Sequence, residues 1–285
     1  MLGGRAGRVL TAAAQLGLAM LLLVGSGCKA EPSADARLAR LERRVDKLVA
    51  ALEQALPPAE PDPAEVYAVP ISVDDPVDGP ADARLTLVEG FELACPYCFA
   101  AQEVLATLRA RHPADLRIVS KYFLVHGQAA VPAGLAVCAA NKQGQFQAMK
   151  RALWRKLFPA GAGQAATARP ELASEQLTLE AVLTTAAEVG LDLQRLTLDM
   201  QGEACQRWVR AGEAELAPLG ARGTPAFYLN GRALLALDAD SISPLLEEEL
   251  EKARRVIARG VPPADYYRTA VTELGLRKVA SRFAD

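Results

Sequence analysis

The sequence predicts an α/β protein in which one sheet is divided by a helical insertion and preceded by an amphipathic helix. Three observations carry this. A strand–helix–strand pattern runs from Arg84 to Val125. Helical periodicity then dominates from about residue 128 to 216. β-type signals return between Thr224 and Leu235 and lead into a closing helix.

With 285 residues, 51% of them apolar, the chain is long enough for one large domain or two small ones with a sizeable core. Its formal charge of -2 and its lack of basic clusters and Gly-rich phosphate loops argue against nucleic-acid and nucleotide partners. Residues 1–28 read as a secretory signal. Arg5 and Arg8 begin it, and the apolar run "VLTAAAQLGLAMLLLV" is short for a membrane span and ends in "GSGC". Cys28 resembles the lipid-bearing cysteine of a bacterial lipobox, with a departure at Gly25, where that pattern usually has Leu. An ordinary signal peptide with an incidental cysteine, or an uncleaved anchor, are the alternatives. Each places the protein outside the cytoplasm, where disulfides persist. A lipidated Cys28 would hold it on a membrane. Cys95, Cys98, Cys138 and Cys205 then remain, enough for two pairs.

Residues 29–56 form a polar tether and then a heptad helix. Leu38, Leu41, Val45, Leu48 and Leu52 recur at alternating spacings of three and four, closed by Ala55. One reading is an oligomerisation helix over residues 38–55 that makes a dimer or trimer. The other is a helix docked on the protein's own body, or a spacer. "PPAEPDP" within 57–65 breaks the helix and stiffens a linker.

The globular domain is expected over 66–259. "VYAVPISV" reads as an edge strand because Pro70 interrupts it. "RLTLVEGFEL" is a short buried strand that runs into "CPYC". "FAAQEVLATLRARH" is a helix stopped by Pro113, and "LRIVSKYFLV" is the next strand. The helical insert spans about 127–216. In it, "VPAGLAVCAANKQGQFQAMKRALWRKLF" is one long helix or a broken pair, "GAGQAATARPELASEQ" is a connection, and Gly190 ends a further helix. Asn230-Gly231 between apolar runs predicts a two-residue hairpin. Ser243 is expected to cap the closing helix ahead of Pro244. Residues 260–285 read as a helical extension.

The CPYC pair sits where a strand meets a helix. A cysteine at the first helical turn lies beside unpaired amides and the positive end of the dipole, both of which favour the thiolate. Cys95 is expected to be exposed and to exchange with substrate, and Cys98 to be buried one turn in and to resolve the mixed disulfide. Pro96 suits an early helix position. Zinc would need two further ligands, and the only histidines, His112 and His126, show no paired spacing. A purely structural disulfide would close a very small loop.

"RGTPAFYLNGR" places Thr224-Pro225 just before a strand. With the CxxC and the long insert, this resembles the DsbA-like branch of the thioredoxin superfamily, from about residue 66 to 259. The resemblance implies a thioredoxin fold with a helical-domain insertion. It implies a cis Pro225 facing the CxxC, with the Thr224 backbone beside the bound client. It implies also that Glu89 is a buried acid that accepts the Cys98 proton and tunes Cys95; the rival is a Glu89 facing solvent at the strand end. Glu92 is expected to be exposed. The insert pattern "CAANKQGQFQAM" is similar to that branch too. Tyr97 departs from the histidine of the best-known oxidases. Together with Thr224 and the heptad helix, it tilts the reading away from a monomeric oxidase.

Some DsbA-like proteins carry a second disulfide in the insert, which implies a Cys138–Cys205 bridge worth about 4 kcal/mol by chain entropy. Two separately buried thiols are the alternative. Trp154 and Trp208 read as core or groove aromatics; His126, near the strand end, reads as a loop histidine, the alternative being a place close to the active site. The function implied is thiol–disulfide exchange that forms or isomerises disulfides in exported proteins, with no further cofactor. Its partners would be unfolded or partly folded exported polypeptides and a membrane redox protein. The alternatives are a reductase or isomerase fed by a membrane electron donor, or a non-enzymatic chaperone or scaffold.

Overall fold

The structure, a computed structural model, describes residues 33–56, 59–159 and 170–280. The expected signal segment with Cys28, the start of the tether, much of the connection before α5 and the last five residues lie outside the described residues. The chain divides into two compact units, Met1–Leu56 and Pro57–Asp285.

In the first unit, α1 (Ala34–Ala55) is capped by Ser33, whose hydroxyl accepts the Ala36 N–H at 3.2 Å. The heptad residues Leu38, Leu41, Val45, Leu48 and Leu52 are between 49% and 65% exposed. The helix therefore presents an apolar seam to solvent.

The second unit is built on a five-stranded sheet. Its strands are β1 (Val77–Asp78), β2 (Leu85–Phe91), β3 (Leu116–Tyr122), β4 (Ala226–Leu229) and β5 (Arg232–Leu234), in the order β1-β3-β2-β4-β5. β2 and β3 are parallel and are joined through α2 (Pro96–Arg111), while β4 runs antiparallel to β2. Every residue of β2 is buried, as a central strand covered on both faces requires. On one face Leu85, Leu87 and Ile118 pack with Leu105 and Leu108 of α2 and with Leu246 and Leu250 of α9 (Ser243–Ala258). On the other, Val88, Val119 and Tyr228 pack with Leu216, Tyr267 and Val271.

The insert contains α3 (Val131–Asn141), α4 (Phe146–Leu157), α5 (Pro170–Glu175), α6 (Leu179–Glu188), α7 (Leu193–Gln201) and α8 (Glu203–Leu216). The first two are a broken pair, parted at Lys142–Gln145. Phe91, at the end of β2, is the hub between sheet and insert. Its ring meets those of Tyr122 at 5.5 Å, Trp154 at 6.0 Å, Phe146 at 6.1 Å and Trp208 at 6.5 Å. Cys138 of α3 and Cys205 of α8 are disulfide-bonded, with Cα atoms 5.5 Å apart and a sequence separation of 67. The bridge ties the first long helix of the insert to the last.

Some elements differ from expectation. Residues 66–73 form no edge strand. Tyr67 makes one isolated bridge to Leu276, and Pro70, lacking an N–H, cannot extend the ladder. The edge is taken instead by β1, antiparallel to β3. Ser243 is the first residue of α9, not its cap. Ile242 holds the cap position and the Ser243 hydroxyl donates to the Ala239 carbonyl at 2.9 Å. Asn230 and Gly231 both take positive φ in the β4–β5 turn, and Asn230 Oδ1 accepts the Thr86 N–H at 2.8 Å. Residues 260–280 are helical only to Thr272. Tyr267 docks there through its hydroxyl on the Val69 carbonyl at 3.0 Å, so this segment belongs to the core.

α8 lies on the end of β3 with no room between. A Cβ on Gly212 would fall 2.0 Å from the Tyr122 carbonyl oxygen. Gly212→Ala is expected to force backbone movement and to cost about 1–3 kcal/mol. Urea denaturation would show this as a lower midpoint at unchanged m; an unchanged midpoint would refute the contact.

Candidate active site

β2 runs into the turn Glu92–Ala94, and α2 begins at once with Pro96 at its first position and Cys95 as its cap. The turn is braced from the insert: the buried Trp154 indole donates Nε1–H to the Leu93 carbonyl at 2.9 Å. Cys95 has extended backbone angles, which aim its sulfur back along the helix axis. There Sγ accepts the Cys98 N–H at 3.3 Å, as an N-cap oxygen would. From the other side, the Cys95 thiol donates to the Thr224 carbonyl at 3.2 Å. The Thr224–Pro225 peptide bond is cis. Cys95, Cys98, Thr224 and Pro225 thus share one site, although the whole insert separates them in sequence.

The two thiols of this reduced pair are pushed in opposite directions. The Cys95 pKa falls from 9.0 to about 6. The Cys98 thiol beside it contributes most, followed by the Thr224 side chain and the Cys98 and Tyr97 amides; together they outweigh burial. The Thr224 hydroxyl has no conventional hydrogen-bond partner among the described residues, which leaves its proton free to turn to this sulfur. Cys98 is raised well above 9.0, chiefly by burial, then by donating to Cys95 and by the negative charges of Cys95 and Glu89. One sulfur is an anion near neutrality and the other holds its proton.

Cys95 is not exposed as expected; it is only 2% exposed. The cap geometry that stabilises the anion turns the side chain inward, and the Thr224 segment covers it. Exposure passes to the rim, where Tyr97, Phe99 and Val125 present apolar surface.

Glu89 is fully buried. Its Oε2 pairs with Lys150 Nζ at 2.7 Å and accepts the Ser120 hydroxyl at 3.3 Å, and its Oε1 accepts Gln102 Nε2 at 2.8 Å. Gln102 Nε2 also donates to the Cys98 carbonyl at 3.0 Å, linking the acid to the CxxC helix. Lys150 comes from α4 and stands 4.1 Å from the Phe91 ring centroid. A cavity of about 110 Å3 reaches this pair past Gln102, Gln147 and Arg151. Glu92, expected in solvent, is buried. Its carboxylate accepts the Val125 and His126 N–H groups, each at 3.0 Å, and pairs with His126 Nδ1. The donors of the loop after β3 make that burial affordable.

Lys150 and the Glu92–His126 pair were not singled out from sequence. Lys150 had a signal: it shares the α4 face of Phe146, Met149, Leu153 and Trp154 at helical spacing, a lysine in an apolar stripe. The pairing of Glu92 with His126 had none. The described residues contain no group of three or more His, Cys, Asp or Glu placed to hold a metal ion.

Residues 86–251 match the DSBA-like thioredoxin domain family. A thioredoxin-like oxidoreductase from Silicibacter pomeroyi DSS-3 superposes with a TM-score of 0.51 at 26% identity, covering 65% of this chain and 94% of that one. Oxidised BdbD from Bacillus subtilis superposes with a TM-score of 0.52 at 19% identity, covering 66% and 98%, and shares the fold. The Na(+)/H(+) antiporter NhaA of Herminiimonas arsenicoxydans is 33% identical over 187 residues, 63% of this chain but 27% of that protein. The chain therefore spans about a quarter of the length of the curated relative it matches. Among the described residues no helix is long and apolar enough to cross a membrane.

The lowered Cys95 pKa sets a pH dependence. Between about pH 6 and 9 the unfolded chain binds more protons than the folded one. The reduced protein is therefore expected to gain stability over a Cys95→Ser variant as pH rises through that window, and to lose the gain on acidification. Ultraviolet thiolate absorbance should titrate with a midpoint near 6. A midpoint at about 8.5, that of a free thiol, would refute the arrangement.

Proposed function

The chain belongs to the DSBA-like thioredoxin domain family, and we propose that it is a thiol–disulfide oxidoreductase that forms or isomerises disulfides in exported polypeptides outside the cytoplasm. The observation that carries this reading is the Cys95 sulfur, favoured as an anion at the start of α2 and faced by the carbonyl beside a cis proline.

In oxidation, a client thiolate attacks Cys95 of the Cys95–Cys98 disulfide. A client–Cys95 bond forms, and Cys98 leaves as a thiolate that takes up a proton. The second client thiol, deprotonated, attacks the client sulfur of the mixed disulfide. A client disulfide forms and Cys95 leaves as its stable thiolate. The client loses two electrons to the pair, and a partner protein in the membrane removes them. Isomerisation starts from the Cys95 thiolate attacking a client disulfide. In these steps Thr224 and Pro225 present backbone to the client, and the client displaces the Thr224 carbonyl from Cys95. Glu89, neutralised by Lys150, passes the Cys98 proton to and from solvent through the cavity beside it. Here the low Cys95 pKa makes it both the good leaving group and the ready nucleophile.

The Cys138–Cys205 bridge and the sequence of residues 1–28 support an extracytoplasmic site, with Cys28 as a lipid anchor. The open seam of α1 supports a dimer or trimer through residues 38–55. Tyr97, in place of a histidine, favours a second reading beside oxidation: a reductase or isomerase held reduced by a membrane electron donor. A potential of about -120 mV against glutathione indicates an oxidase, and one of about -270 mV a reductase.

Cys95→Ala is expected to abolish both insulin reduction and the refolding of scrambled ribonuclease, and Cys98→Ala to accumulate mixed disulfides with clients. Retention of both activities by Cys95→Ala would leave a non-enzymatic chaperone or scaffold as the reading. In light scattering, Leu41→Lys combined with Leu48→Lys should reduce a dimer or trimer to the monomer mass without altering the pKa of Cys95. A wild-type protein that is already monomeric would rule out the seam as an assembly surface.

A further inference from the structure

The groove on the Thr224 side of Cys95 has a wall that the exchange chemistry does not require. It encloses about 440 Å3 and runs along Gly220–Ala226 to Leu234 and Leu235, with Glu60 and Pro61 opposite. Glu60 and Pro61 belong to the segment by which the chain enters the domain, and that segment is pinned. Arg232 Nε donates to the Pro63 carbonyl at 2.9 Å, and the Asp62 N–H donates to the Tyr67 hydroxyl at 2.8 Å. Pro61 rests on Gly220, where an added Cβ would lie 2.7 Å from Pro61 Cδ. Glu60 is so held at the groove, with Oε1 3.6 Å from Arg222 Nη1. Among the described residues that line it, Arg222 is the only basic one.

Arg222 precedes Thr224 by two residues, so their backbones lie at most about 7 Å apart. A client strand alongside 222–224, with its cysteine at Cys95, brings a neighbour of that cysteine to the guanidinium. The Glu60–Arg222 pair is long and faces solvent, so it is weak, and another carboxylate can replace Glu60 at little cost. We propose that Arg222 is a specificity-determining residue that selects clients with Asp or Glu within two residues of the reacting cysteine, and that Glu60 occupies it until such a client binds. The proposal rests on the thiol–disulfide reading above.

The test uses peptide disulfides identical except for Asp, Ser or Lys two places from the cysteine, on either side. Wild-type kcat/KM should favour Asp over Lys by about 3- to 5-fold at low salt and less at high salt. Arg222→Glu should reverse that order, read as the Asp:Lys ratio, and Glu60→Gln should raise the rate with the Asp peptide. The same Asp:Lys ratio in wild type and Arg222→Glu overturns the proposal. The affinities of the same peptides with cysteine replaced by serine, read by fluorescence anisotropy, give a second measure free of turnover. If no peptide disulfide reacts at all, the thiol–disulfide reading fails. The anisotropy order then still decides on Arg222: Asp bound more tightly than Lys by wild type and not by Arg222→Glu supports the selection, and equal binding removes it.

Discussion

The site depends on how one sulfur is held between two backbone groups. The amide of Cys98 reaches Cys95 from the opening turn of a helix, and the carbonyl of Thr224 reaches it from a strand entry more than a hundred residues later. The first contact is local, set by any strand that turns into a helix at a cysteine. The second requires the sheet to bring β4 antiparallel to β2, with Gly90 opposite Ala226, so that the Thr224 carbonyl just before β4 arrives at Cys95. The helical insert must therefore leave the sheet after β3 and return at β4 without disturbing that register. Its packing on Phe91 and the indole bond to Leu93 show how it does so. The insert braces the turn that it interrupts.

Stabilising the anion and exposing it are opposed requirements. An N-cap side chain that takes an amide must fold back over the helix start, where the Thr224 segment, whose carbonyl accepts the proton of the thiol form, sits on top of it. Cys95 meets the first requirement and is covered as a result. The client recognition proposed here resolves the opposition, because a client backbone substitutes for the Thr224 contact as its sulfur arrives. The exposed rings of Tyr97 and Phe99 then offer the surface that Cys95 lacks.

Much of this was legible in the sequence where the signal is local or periodic. Cys95 and Cys98 announce themselves by spacing and by the strand that precedes them. The hairpin at Asn230-Gly231 follows from turn chemistry, and the heptad of α1 from its three–four rhythm. Long-range polar pairing was not legible. Glu92 looks like a surface residue in "GFELAC" because its partners, the amides of Val125 and His126, are supplied by a loop on another strand. Lys150 as the counter-ion of Glu89 depends on how α4 docks, and helical periodicity gives the face but not the neighbour. The edge position of β1 in place of residues 66–73 shows the same limit. Two residues suffice for a strand when a neighbour supplies the ladder, and eight do not when Pro70 removes a donor.

The bond between Lys150 and Glu89 crosses from the insert into the sheet, with both side chains buried. A buried carboxylate deprived of its cation is strongly destabilising, by about 3–5 kcal/mol. The two lobes are therefore not interchangeable parts. A chimaera grafting a foreign helical lobe onto this sheet would have to carry a lysine in register with position 150 or lose the acid as well. Replacing either residue alone leaves the other charge buried without its partner, so the two positions act as one unit across the lobes.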